Sequence, residues 1–248
     1  MRLSPTLLLT LAVVLSTNQG FALAADDPPR PAQQPKVFEK EVITRMKLEY
    51  LLFLPEGYET SEKEYPLILF LHGAGESGSG LERIKKHGMP KVLETRRDLP
   101  FIVVSPQSLG RGWNPEALNA LLDRIILDYR VDRDRVYLTG LSMGGYGTWA
   151  LAAEHPERFA AIAPICGGGN PANASKLKDL PIWVFHGAKD PTVPLSQSQI
   201  MVDALKAVGS SVKFTIYPDA VHDSWTETYD NPELFAWLLS HKRGGSRP

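Results

Sequence analysis

The stretch Gly140-Leu141-Ser142-Met143-Gly144-Gly145 decides the reading of this chain. It joins an apolar run, Val136-Tyr137-Leu138, to a helix-like run, Tyr146-Gly147-Thr148-Trp149-Ala150-Leu151-Ala152. A serine at a sharp strand-to-helix turn pushes its hydroxyl out of the backbone, and flanking glycines let such a turn close without Cβ clashes. The pattern alone is a weak signal, so its meaning depends on what the surrounding chain places beside it.

Outward from this turn, short apolar runs alternate with helical patterns. Strands are expected at 48–54, 67–71, 101–104, 136–138, 160–163, 182–185 and 212–217, the run Leu67-Ile68-Leu69-Phe70-Leu71 having the continuous apolarity of a strand covered on both faces. Helices are expected at 117–129, 145–154, 196–208 and 232–241, the last after an Asn231 cap with Pro232 at its first position. This alternation predicts an α/β fold, a mostly parallel central sheet flanked by helices. In such sheets loops at the carboxyl ends of the strands carry the chemistry.

Three further segments sit at those ends. His72-Gly73-Ala74-Gly75-Glu76-Ser77-Gly78 follows the first buried run, and its glycine-rich turn can aim backbone N–H groups at a small oxyanion. The Ala74 and Met143 amides are the expected donors, while His72 reads as a brace for the loop. His186-Gly187-Ala188-Lys189-Asp190-Pro191 follows the 182–185 run. Asp190 there reads either as a turn or cap residue, or as the acceptor that fixes a histidine tautomer. Pro218-Asp219-Ala220-Val221-His222-Asp223 follows the last strand and offers His222 as a general base for Ser142. Asp223 is the competing acid, but its adjacency to His222 sends its side chain elsewhere. The chain order Ser142, Asp190, His222, each after a separate strand, is the nucleophile-acid-base order of one known arrangement.

On these motifs the chain resembles the small esterase and dienelactone-hydrolase-like branch of the α/β-hydrolases. It is similar to the polyhydroxybutyrate-depolymerase/feruloyl-esterase type and to prolyl-oligopeptidase-like catalytic domains, over roughly 48–241. The resemblance implies a serine carboxylesterase acting through an acyl-enzyme on Ser142, with catalytic residues Ser142, Asp190 and His222 and no cofactor. A serine peptidase is the alternative, disfavoured because there is no room for a propeller domain. No apolar insertion is long enough for a lid, which points to accessible esters, short-chain or polysaccharide-linked.

Trp113 reads equally as a wall of the substrate pocket or as a cover over the sheet edge. Glu76 is a second candidate substrate contact, against the plainer reading of a solvated loop carboxylate. Cys166, the only cysteine, reads as a small buried thiol. No Cys/His cluster has metal spacing, so no metal is expected.

Composition bounds the rest. The 248 residues are 43% hydrophobic and 22% charged with a net charge of -1, an ordinary globular balance without the positive surface that nucleic acid or anionic membrane requires. Residues 1–24 read as an export signal: Arg2, an apolar run from Leu7 to Leu15, and Ala22-Leu23-Ala24 as the cleavage site. The apolar run is too short to span a bilayer, so no stable membrane span is expected after cleavage. A secreted or periplasmic protein is implied. Residues 25–35 form a proline-rich leader, 36–243 the hydrolase domain and 244–248 a flexible tail.

Overall fold

The computed structural model describes residues 36–37 and 46–244. The chain divides into two units, Met1–Thr44 and Arg45–Pro248, and the sheet and its helices belong to the second. The expected export signal and leader lie outside the described residues, as does the tail beyond Gly244. Among the described residues no helix is long and apolar enough to cross a membrane.

Seven strands build one sheet among the described residues: β1 (Tyr50–Phe53), β2 (Tyr65–Leu71), β3 (Ile102–Pro106), β4 (Val131–Leu141), β5 (Ala161–Ile165), β6 (Trp183–Gly187) and β7 (Lys213–Tyr217). Their order is β1-β3-β2-β4-β5-β6-β7. β1 runs antiparallel to β3 at one edge, and every other pairing is parallel. The helices are α1 (Gly88–Leu93), α2 (Pro115–Asp128), α3 (Met143–Glu154), α4 (Ala174–Leu177), α5 (Ser196–Ala207), α6 (Ser224–Asp230) and α7 (Pro232–Ser240).

The two-residue period of β2 shows why the sheet is covered on both faces. Leu67, Leu69 and Leu71 pack into one core with Leu118, Leu122 and Ile125 of α2, Trp149 of α3 and Leu205 of α5. Ile68 and Phe70, pointing the other way, pack with Met89 of α1, Tyr229 of α6 and Leu234, Phe235 and Leu238 of α7. Alternate side chains thus feed opposite layers, and both layers are apolar. Two helices start as their sequences dictate. The Asn114 side chain accepts from Ala117 N at 3.1 Å and the Asn231 side chain from Glu233 N at 2.9 Å, each with proline next in the chain.

The structure departs from the sequence reading at several places. β4 begins five residues before the expected 136–138 run, through Asp132-Arg133-Asp134-Arg135, whose charges read as loop. There the ladder to β2 shifts register, from Tyr65↔Val131 to Leu67↔Val136, so the extra residues leave the ladder and their charges reach solvent. α1, α4 and α6 are absent from the sequence expectation. α1 carries a glycine and a proline in six residues, and α6 combines two threonines with two aromatics, compositions with low helix propensity. Both are held by packing rather than by local preference.

Candidate active site

Ser142 is the single residue between the end of β4 and the start of α3, with φ 52° and ψ -116°. Positive φ is costly for a residue with a Cβ, so the surroundings must impose it. Ser142 N donates to Ile165 O at 3.0 Å, and Tyr146 N donates back to Ser142 O at 3.1 Å. Gly144 lets the new helix lie against the end of β2, since a Cβ there would run into the Leu71 carbonyl oxygen. Gly140 is confined in the same way by the Gly144 carbonyl. Gly144→Ala is therefore expected to destabilise the protein by about 3 kcal/mol, through overpacking against backbone that cannot rotate away. A melting temperature within a degree of wild type would contradict this.

The strained turn presents its hydroxyl to the loops after β6 and β7. Ser142 Oγ lies 2.9 Å from His222 Nε2, and His222 Nδ1 lies 2.7 Å from Asp190 Oδ2. The other carboxylate oxygen, Oδ1, accepts from Thr192 N at 2.8 Å and Val193 N at 2.9 Å. The Asp190 side chain is fully buried. Burial alone would push its pKa up, but the His222 hydrogen bond, the two amides and the His222 charge outweigh that and hold it below the ordinary carboxylate value. An ionised Asp190 assigns the His222 tautomer: Nδ1 carries the hydrogen, and Nε2 is free to accept the Ser142 proton. Asp223 makes no side-chain hydrogen bond to His222 among the described residues. It instead precedes α6 as its N-terminal flanking residue.

The loop after β2 opens with a 3-10 turn, Ala74–Glu76. Ala74 and Met143 are each the first residue of their helices, where N–H groups have no partner within the helix. Among the described residues neither amide has a partner elsewhere. His72 accepts from Ser108 N at 3.0 Å through Nε2, which leaves Nδ1 to donate to Gly73 O at 2.7 Å. Met143 ties the turn to its neighbours, its sulfur accepting from Gly112 N at 3.1 Å.

Glu76 departs from the solvated-carboxylate reading. It is 5% exposed, because Oε2 accepts from Gly73 N at 3.0 Å and closes the turn that carries Ala74. Oε1 lies 3.9 Å from His87 Nε2. Trp113 donates from Nε1 to His72 O at 3.3 Å, with its ring edge-on to the His72 ring, and it fills the space over Gly147. It thus covers the joint between the loop and α3.

Cys166 is fully buried with φ 40°, and burial pushes its thiol up to about 12. Its sulfur, the Asp190 carboxylate and the His222 ring come within 4.8 Å of one another, a grouping that could surround a metal ion. The chemistry of the donors runs against that use. The thiol stays protonated, and the 2.7 Å separation of His222 Nδ1 from Asp190 Oδ2 is that of a shared hydrogen.

Sequence reasoning overlooked three residues that the structure brings to the site: Trp225, His87 and His186. Trp225 stands edge-on to His222, ring centroids 5.2 Å apart, and 5.5 Å from the His87 ring on its other side. His186, at the start of the Asp190 loop, lies with Nε2 3.4 Å from Asp190 Oδ2.

Burial holds His72 and His186 neutral, below their ordinary pKa of 6.5. The unfolded chain takes up these protons as pH falls through about 6.5, whereas the folded chain does so only at lower pH. Stability is therefore full above 6.5 and declines below it, by at most about 1.4 kcal/mol per pH unit for each histidine. Asp190, with a depressed pKa, adds a further loss at lower pH, as pH falls through its ordinary value of 3.8 and then through its folded value. Scanning calorimetry should show the melting temperature falling from pH 7 to pH 5. A flat melting temperature across that window would contradict the assignment of two buried neutral histidines.

Residues 113–233 match the dienelactone hydrolase family, a span that contains Ser142, Asp190 and His222 but not the Ala74 turn. The chain is 29% identical over 153 residues to a probable feruloyl esterase C of Aspergillus terreus, covering 59% of this chain and 56% of that protein. It is 32% identical over 143 residues to a bifunctional acetylxylan esterase/xylanase of Neocallimastix patriciarum, covering 53% of this chain and 20% of that protein. The chain therefore spans about half the length, or less, of these curated relatives. Among solved structures, a thermostable esterase superposes with a TM-score of 0.70 at 35% identity, covering 81% of this chain and 60% of the other. The chain has the α/β-hydrolase fold, and its residues 113–233 are similar to the dienelactone hydrolase family.

Proposed function

We propose that the protein is an exported serine hydrolase that cleaves carboxylic esters, of short-chain or polysaccharide-linked acyl groups, through an acyl-enzyme on Ser142. The observation that carries this reading is the continuous chain Ser142 Oγ–His222 Nε2, His222 Nδ1–Asp190 Oδ2, built on a strained turn. His222 takes the Ser142 proton as Oγ attacks the acyl carbon, and Asp190 stabilises the imidazolium. The Ala74 and Met143 amides receive the negative charge on the carbonyl oxygen, a contribution whose loss costs about 100-fold or more in comparable sites. His222 then protonates the departing alcohol and activates the water that releases the acid.

The substrate class rests on three supports. Relatives named as a feruloyl esterase and as an acetylxylan esterase/xylanase align with 59% and 53% of this chain. A groove of about 520 Å³ runs along α3 from Tyr146, four residues past Ser142, to Glu154, with Trp149, Asn170 and Asn173 among its walls, room for a bulky alcohol component. The export signal read at 1–24 would carry the enzyme to where plant or microbial polymers are met, secreted or periplasmic. Hydrolysis of acetyl, feruloyl and acetyl-sugar esters should exceed that of long-chain esters and peptide anilides. A preference for peptide anilides would overturn the reading in favour of a serine peptidase.

A further inference from the structure

His186, next to last in β6, is fully buried, and its ring is fixed on both sides. Nδ1 lies 2.7 Å from Ser198 Oγ on α5. Nε2 lies 2.9 Å from the Val193 carbonyl oxygen and 3.4 Å from Asp190 Oδ2. Both neighbours of Nε2 are acceptors only, so Nε2 carries the hydrogen. Burial keeps the ring neutral, which leaves Nδ1 bare to accept the Ser198 hydroxyl hydrogen. That hydroxyl also lies 3.0 Å from the Gly167 carbonyl oxygen, a competing acceptor for its one hydrogen.

We infer that His186 is a positioning residue for Asp190, acting on both of its carboxylate oxygens and through them on the basicity of His222. This rests on the reading of Asp190 as the acid of the triad. The Nε2–H is given chiefly to the Val193 carbonyl, and Val193 N is one of the two amides that hold Asp190 Oδ1. The histidine therefore clamps the turn that orients the carboxylate. At 3.4 Å the same N–H also presents the positive end of its dipole to Oδ2, the oxygen that faces His222 Nδ1. Asp190 Oδ2 thus lies between two histidines, one tied into the fold and one free to exchange protons.

The sign of the effect follows from the charges. A donor on Oδ2 makes the carboxylate a weaker partner for the imidazolium. Removing it strengthens the Asp190–His222⁺ interaction and raises the pH at which His222 loses its proton. The other titratable groups facing this pair are the Cys166 thiol from the end of β5, the Tyr146 phenol from α3, and Asp223 beside His222. The thiol and the phenol are both pushed up by burial, and none of the three is itself replaced in a His186 variant. A movement of the acid limb therefore reports on His186 itself.

The test compares pH profiles of kcat/KM on p-nitrophenyl acetate for the wild-type protein, His186→Phe, His186→Gln and Ser198→Ala, with Asp190→Ala alongside. His186→Phe, which fills the space without a donor, should lower kcat about tenfold with KM within about twofold, as expected for a displaced catalytic group. Its acid-limb midpoint should rise by about half a unit. His186→Gln, which returns an N–H near the position of Nε2, should restore most of both. Ser198→Ala should move the midpoint upward by less. An unmoved midpoint in folded His186→Phe, or equal losses in the Gln and Phe variants, overturns the inference. Should the Phe variant fail to fold, an unmoved midpoint in Ser198→Ala does so. Full activity in Asp190→Ala would instead overturn the triad assignment, a separate failure.

Discussion

Ser142→Ala is expected to lower kcat on p-nitrophenyl acetate by about 10⁵- to 10⁶-fold with the fold intact, as when the nucleophile is removed from comparable triads. The size follows from cooperation. Without Oγ, His222 has no proton to take, and no acyl-enzyme forms, so Asp190 and the two amides are left supporting a step that no longer occurs. Circular dichroism should be unchanged, because a methyl group fits where the hydroxyl was. Ser142→Gly adds a second reading of the same residue. It should be equally inactive yet more stable, by about 1 kcal/mol, since glycine adopts φ 52° at no steric cost. A loss smaller than about 100-fold in Ser142→Ala would mean that another group delivers the nucleophile.

Asp190→Asn is expected to lower kcat by about 10⁴-fold at neutral pH. Its Oδ1 partners, the Thr192 and Val193 amides, can only donate, so the asparagine oxygen stays with them. The amide NH₂ then faces His222 Nδ1 and makes that nitrogen an acceptor. The ring hydrogen moves to Nε2, directed at Ser142 Oγ, and the base is blocked by its own proton. The geometry survives while the tautomer is wrong. Asp223→Asn should cost less than about threefold, because Asp223 forms no bond to the ring and only an exposed, solvent-screened charge is lost. A large loss at Asp223 with little at Asp190 would reverse the assignment of the acid.

The order of elements is legible in the sequence because the runs at 67–71, 101–104 and 160–163 are continuously apolar and α7 carries asparagine and proline at its start. The approach of Ser142, Asp190 and His222 is legible because each follows a strand of one parallel sheet, and a parallel sheet gathers its strand ends along one edge. Glu76 is misleading in sequence because a carboxylate in a glycine-rich loop has the composition of a solvated residue. Only the closed turn shows that its oxygen satisfies Gly73 N. Trp225 and His186 are hidden for a related reason: their roles lie in contacts across loops from β6 and β7, and no local periodicity records which loop faces which. The early start of β4 is masked by Asp132 and Arg135, whose mutual ion pair at 3.2 Å is compatible with an extended strand in water.

The central claim is that Ser142 is the residue that becomes acylated. It is tested most directly by treating the folded protein with a fluorophosphonate and mapping the adduct by mass spectrometry of proteolytic fragments. The predicted result is a single adduct, on Ser142, that is absent from Ser142→Ala and strongly slowed in His222→Ala. Failure of the wild-type protein to label, or an adduct mapping to Cys166, Ser77 or Ser224 instead, would contradict the account.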